Sequence, residues 1–305
     1  MHFRPLLLSL LLLASLSLHA QVSLTASENA IRVELDGELY CEYVFKGQMR
    51  PILYPIIGPH GTPMTRNYPM KEGKDEAKDH PHHTSLFYAH GIVNGADFWH
   101  DKANAIEQVS ITHEVVDGVG IIRSSNRWLA KGNEACSDET VLRLGTEGDA
   151  RFIDYQITII ASAGDLHLGD TKEGTMAIRT NPELRLAGKV AKGKAKNSAG
   201  DTGKSLWGKS AAWVDYYGPI DNKVVGIAIF DHPSNPRHPT TWHARDYGLI
   251  CANPFGLSYF QKKPKGSGDM NLVAGEKVTF RYRFLFHPGD TEAAGIEKRF
   301  AAWSK

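Results

Sequence analysis

Short runs that alternate apolar with polar residues, each closed by glycine, proline, asparagine or aspartate, dominate this chain. Residues 30–35 (AIRVEL), 39–45 (LYCEYVF), 108–116 (QVSITHEVV), 140–144 (TVLRL), 152–160 (FIDYQITII), 224–230 (VVGIAIF) and 277–286 (KVTFRYRFLF) are of strand length and rich in β-branched and aromatic side chains. A period of two sends alternate side chains to opposite faces, which suits a half-buried strand and no helix. Asp36-Gly37, Asp117-Gly118, Glu147-Gly148-Asp149 and Ala274-Gly275-Glu276 supply the turns. Only residues 291–303 (TEAAGIEKRFAAW) have helical spacing, with Thr291 as N-cap and Ala294, Ile296, Phe300 and Trp303 on one face. The pattern predicts an all-β protein, a large β-sandwich forming a single domain over residues 21–305, with a short C-terminal helix. The small, polar, lysine-rich stretch 187–205 reads as a long loop within that sandwich.

Residues 1–20 (MHFRPLLLSLLLLASLSLHA) join Arg4 to an apolar run that ends at a small-residue site. This is the pattern of a secretory signal peptide cut after Ala20, so the mature chain is expected to be secreted or periplasmic in a bacterium. The run is shorter than the roughly 18 to 20 apolar residues of a spanning helix, and no later segment approaches that length. Lys and Arg total 35 against 34 Asp and Glu. Loss of Arg4 leaves the mature chain neutral, without the basic surplus that nucleic acid or anionic lipid requires. Cys41, Cys136 and Cys251 show no CxxC spacing and allow at most one disulfide.

Five of the 14 histidines fall within residues 79–101, DHPHHTSLFYAHGIVNGADFWHD. Read as extended from Asp79 to His90, the segment puts His80, His82 and His90 on one face and His83 on the other. Pro81 places its start at an edge or in a loop. Imidazoles facing one cleft suit acid/base catalysis, hydroxyl recognition or metal ligation. Asn94 lies in the turn that follows, and Phe98 and Trp99 add aromatic faces of the kind that line sugar sites.

Three further clusters accompany it. Residues 168–180 (LGDTKEGTMAIRT) set Asp170, Lys172, Glu173 and Arg179 after a strand, with Glu173 and Asp170 as candidate general bases. Residues 207–218 (WGKSAAWVDYYG) give Trp207, Trp213 and Asp215 the same parity. Residues 230–256 hold His232, Arg237, His238, His243, Arg245 and Asp246 among four prolines, a long loop of the functional kind. Asp-His-Pro occurs both at Asp79–Pro81 and at Asp231–Pro233.

Together with RPILYPIIGPHGTPMTRNYP and the closing RYRFLFHPGD, these stretches resemble the family catalogued as PmoA-like, or methane oxygenase PmoA, a domain of unknown function found in secreted bacterial proteins. The chain has no spanning helix to match the membrane subunit that this name alludes to, so the name is read as a misnomer. The resemblance covers nearly all of the mature chain. It implies a role in polysaccharide breakdown and a sandwich similar to galactose mutarotase-like proteins. The motif positions are Arg66, His82, His83, His90, Asn94, Trp99, Glu173, Arg179, Trp213, Asp215, His232, Arg237, His243 and Asn253.

Three functions compete. The first is a carbohydrate-active hydrolase, lyase or epimerase. In it Glu173 is the general acid or base, His82 and His83 are proton donors or hydroxyl clamps, and Asp215 is the second carboxylate. Arg66 and Arg179 anchor an anionic or keto substituent, Trp99 and Trp213 stack the ring, and His90, Asn94, His232, Arg237 and His243 line the pocket. The second is a metal-dependent enzyme, with a divalent metal held by His80, His82 or His90 and a carboxylate or His243. The third is a sugar-binding module without catalysis. A carbohydrate or other small molecule is the expected partner in each; oligomeric state is not legible.

Overall fold

The computed structural model describes residues 20–305. The expected signal peptide, apart from Ala20, lies outside the described residues.

The chain builds two antiparallel sheets by turns. β1 (Val22–Ala26), β2 (Ala30–Leu35), β3 (Glu38–Val44), β4 (Ile52–Ile56) and β5 (Leu86–His90) begin the first sheet. β6 (Asn104–Val116), β7 (Val119–Ala130), β8 (Asn133–Glu147) and β9 (Ala150–Ile160) begin the second. After the short β10 (Leu166–Leu168), β11 (Gly174–Arg179) returns to the first sheet, and β12 (Lys194–Asn197), β13 (Trp213–Ile220) and β14 (Lys223–Asp231) join the second. β15 (Leu249–Ala252) completes the first sheet, β16 (Met270–Leu272) pairs with β10, and β17 (Lys277–Pro288) enters the middle of the second. The sheet orders are β1-β2-β3-β4-β5-β11-β15 and β12-β13-β14-β17-β9-β8-β7-β6. Two short helices, α1 (Leu257–Phe260) and α2 (Ile296–Trp303), complete the fold.

Alternation explains most of this. β2 and β9 bury every other residue, and their inward side chains join one core that runs between the two sheets. The Asp36-Gly37 and Asp117-Gly118 hairpins have both turn residues at positive φ, as a two-residue turn matched to strand twist demands. β5, β11 and β15 differ: almost every residue is buried, because each face of these strands is covered. Met176, Ile178 and Ile250 face the inter-sheet core, whereas Phe87, Ala89, Ala177, Leu249 and Cys251 face outward beneath Trp99. The outer face of the second sheet is covered instead by α2, through Trp213, Phe230, Ile296 and Phe300.

Several expectations change. The helix begins at Ile296, after Gly295 in the left-handed region, rather than at Thr291, whose hydroxyl donates to Asp215 instead. The stretch 187–205 carries edge strand β12 and a 3-10 turn, Gly203–Leu206. All three cysteines are buried and unpaired. Among the described residues no helix is long and apolar enough to cross a membrane.

Candidate active site

Residues 79–85 are not extended; only Leu86–His90 forms a strand. The physical reason is Arg66. Its buried guanidinium donates to the carbonyls of Ala77, Asp79, His80 and His83 and to the Asp79 carboxylate at 2.7 Å. Gathering these acceptors on one fork curls the loop, and the His83 amide donates to the His80 carbonyl across a turn at 3.0 Å. Parity therefore no longer sorts the histidines. The His80 and His83 rings stack 4.9 Å apart, His82 meets His83 edge-on at 4.3 Å, and His100 meets His82 at 4.3 Å. Tyr247 stacks on His80 at 5.0 Å. This cluster lies over the outer face of the first sheet.

Arg179, at the end of β11, sets the tautomer of His83. It donates to His83 Nδ1 at 3.2 Å and to Asp79 Oδ1 at 2.9 Å. A guanidinium only donates, so Nδ1 accepts and the single ring proton sits on Nε2. Burial, then the nearby His82 and Arg179, drive the His83 titration far below the ordinary imidazole range. Burial, with His100, Arg50 and His80 around it, pushes His82 down to about 3. Both rings stay neutral at pH 7. They can clamp hydroxyls or carbonyls, but they are not the proton donors the sequence suggested. Replacing Arg179 by Met should make His83 easier to protonate, read as an upward move of its imidazole titration by NMR; no movement would break the link between the two.

His100 is built differently. Asp97 Oδ1 accepts the amides of Trp99 and His100 at 2.7 and 2.9 Å, and Oδ2 faces His100 Nδ1 at 3.0 Å. A carboxylate facing Nδ1 places the proton there and frees Nε2. That nitrogen lies 3.9 Å from Glu173 Oε2. His100 is 42% exposed and Glu173 19%, so both reach solvent. The other Glu173 oxygen pairs with Lys172. Glu173 is held by its backbone: its carbonyl accepts the Gly91 amide at 2.7 Å, and its amide donates to Thr171 Oγ1. A Cβ at position 91 would come 2.9 Å from Glu173 Cβ, so this close approach needs glycine. His243 Nδ1 donates to the Lys172 carbonyl at 2.9 Å, and burial lowers its titration to about 4. The arrangement is an oriented imidazole beside a carboxylate, over a floor of neutral imidazoles and a guanidinium.

Of the residues expected to meet, Glu173, His82, His83, Arg179 and His243 converge here. Arg66 lies beneath them, buried, with both terminal nitrogens bonded to the loop, and Trp99 is fully buried, so neither touches a ligand from this side. The pairing of Glu173 with Asp215 is not made. Asp215 and Trp213 lie on the outer face of the second sheet, across the sandwich, where Asp215 is fully buried against His287 and Thr291 and Trp213 donates to Glu297. His90 points into the core side of β5, with Nε2 on the Gly169 carbonyl and its ring on Phe255. Asn94 ties its hairpin to His167 and Asp165. Arg237 donates to the carbonyls of Pro254, Gly268 and Asp269, and His232 packs on Trp303. Asp170 accepts the amides of Ser258 and Gly268 and is no free base. Asn253 accepts the amides of Phe255 and Gly256 and donates to Thr171, shaping the same wall. Asp79, Asp97, His100 and Tyr247 were given no site role from sequence; the Asp97–His100 spacing, which closes a carboxylate-capped turn, was the available signal.

For metal binding, no group of three or more His, Cys, Asp or Glu is arranged to hold an ion among the described residues. His80 and His82 instead lie edge to face, 5.7 Å apart.

No curated protein matches the chain. Among solved structures it is similar to the α-galactosidase from Lactobacillus brevis, at 10% identity over 88% of this chain and 40% of that one, with a TM-score of 0.46. It is similar also to the galactosidase domain of the α-galactosidase-sucrose kinase AgaSK, at 7% identity over 88% and 41%, with a TM-score of 0.43. A galactose mutarotase related enzyme from Lactobacillus acidophilus aligns at 8% identity over 87% and 97%, with a TM-score of 0.29. The chain thus spans about 40% of the length of the first two. Residues 30–301 match a family described as one of unknown function, without the methane-oxygenase label. The chain belongs to that family, DUF6807.

Proposed function

We propose that the protein is a carbohydrate-active enzyme that removes a proton from a sugar carbon beside a carboxylate or carbonyl group, as a lyase or epimerase does. One observation carries this reading: the Asp97–His100–Glu173 arrangement opens to solvent above a neutral His83 that Arg179 holds as a donor. An oriented imidazole with a free Nε2 is a competent base. The Nε2 proton of His83 suits an oxygen that gains charge as the proton leaves.

Charge favours the same chemistry. Arg66 and Arg179 share one carboxylate, Asp79, while Lys172 and Glu173 cancel and the buried Arg50 offsets Asp97. The remaining positive charge would stabilise an anionic substituent or an enolate. A glycosidase needs two carboxyl groups flanking the bond. Asp79 is committed to two guanidinium groups and Asp97 to two amides and His100, which leaves Glu173 alone. Export through the signal peptide would place the enzyme with polysaccharide outside the cytoplasm.

The experiment is incubation in D2O with oligogalacturonides and xylo-oligosaccharides, products read by NMR. Deuterium on a ring carbon, or a new carbon–carbon double bond, is the expected result. New reducing ends with neither would make it a hydrolase, and binding without any product a sugar-binding module.

A further inference from the structure

We propose that Trp207 and Tyr259 form a stacking platform for the sugar rings that flank the reacting unit, so that the substrate is an oligosaccharide or polysaccharide held over several units. The inference rests on the carbohydrate reading above and extends it to substrate length. Seven large hydrophobic side chains are exposed among the described residues, five of them valines. The two aromatic ones are Trp207, 37% exposed, and Tyr259, 49% exposed. Trp207 packs on Phe260 of α1, the same short helix that carries Tyr259.

These two segments are fixed to the loop that carries Glu173 at two points and to the neighbouring 243–247 segment at a third. Asp170, three residues before Glu173, accepts the Ser258 amide at the start of α1, which carries Tyr259. His243, bonded to the Lys172 carbonyl, packs its ring 5.8 Å from Phe260, and Phe260 meets Trp207 edge-on at 5.5 Å. On the far side of the 3-10 turn before Trp207, Lys204 pairs with Asp246 at 3.0 Å, beside the Tyr247 that stacks on His80. Two ring contacts therefore separate Trp207 from His243. Gly208 sits so close to Phe260 that a Cβ there would come 3.2 Å from its carbonyl, which holds the indole against α1.

An exposed indole or phenol next to a polar cleft has an apolar face suited to the C–H face of a pyranose. Isolated exposed apolar residues are ordinary; these two are the exposed aromatics among the described residues and both belong to the α1 neighbourhood. The interior ring Phe260 keeps the platform rigid, so little ordering is required when a chain binds.

The test measures binding of oligogalacturonides and xylo-oligosaccharides of two to six units by calorimetry, with the mature protein, Trp207→Ala/Tyr259→Ala and Trp207→Phe. In the wild type, affinity should rise with length in one series. In the double variant the hexamer-to-dimer affinity ratio should fall by about tenfold or more, and Trp207→Phe, which retains a ring, should recover much of it. Equal weakening at every length, or no length dependence in the wild type, overturns the platform. Because binding is read without turnover, the two readings separate. If Glu173→Gln leaves turnover intact while the double variant loses length dependence, the platform stands and the catalytic assignment falls. The converse pattern overturns the platform alone.

Discussion

Glu173→Gln should lower turnover by roughly 10²- to 10⁴-fold while leaving affinity for the same oligosaccharide within about threefold, since general acid–base groups typically contribute on that scale. Glutamine keeps the shape and one acceptor oxygen of the carboxylate but cannot take a proton. His100→Ala should give a loss of the same order if, as proposed, the two act on one proton; His100 Nε2 faces Glu173 at 3.9 Å. The double variant should then be little worse than either single one, as for groups that work as a unit. The measurement is initial rate on whichever oligosaccharide takes up solvent deuterium, with affinity followed in parallel. Full turnover in Glu173→Gln, or a loss matched by an equal loss of binding, would remove Glu173 from the chemistry. Asp97→Asn should produce a smaller drop, since it disturbs the orientation of His100 and not the reacting group itself.

Asp215→Ala is expected to do the opposite: cost about 3–5 kcal/mol of stability, the range for breaking a buried ion pair, and leave turnover per folded molecule near that of the wild type. His287 Nε2 lies 3.0 Å from Asp215 and Nδ1 3.2 Å from the Pro288 carbonyl, which only accepts. With acceptors at both nitrogens, the ring carries both protons. Burial pulls the titration of His287 down, but the charge and hydrogen bond of Asp215 more than offset that and raise it above the ordinary 6.5. A folded value above the unfolded one means that the pair stabilises fully below about pH 6.5 and that the gain is lost as pH rises through the folded value. The stability difference between wild type and Asp215→Ala, from denaturant melts, should therefore be largest near pH 6 and shrink toward alkaline pH. A gap that widens with pH would mean that His287 is neutral in the native state. An inactive but stable Asp215→Ala would return Asp215 to the catalytic machinery.

The scaffold was legible because a period of two is a strong signal. The runs at 30–35, 152–160 and 277–286 lie within β2, β9 and β17. The site was legible only as an inventory. Counting histidines located the window, but its shape is imposed by Arg66, which lies outside the window and bends backbone that local pattern marked as extended. Parity correctly placed Trp213 and Asp215 on one face of their strand, yet alternation does not say which sheet a strand joins, and β13 joined the other one. The repeated Asp-His-Pro also acquires a physical sense. Asp79 gathers Arg66 and Arg179, while Asp231 gathers Asn235, His238 and the Thr240 amide. Each aspartate anchors the loop around it, and Pro233, just past the end of β14, withholds an amide that would otherwise extend that strand.

The two outer faces of the sandwich are roofed by different parts of the chain. One roof is drawn from the segment between β4 and β6 together with Tyr247 before β15, and the other from the residues after β17. Mutational drift in the terminal helix can then retune robustness to heat or acidity without redrawing the opposite roof, so selection can work on the two faces through separate stretches of one gene.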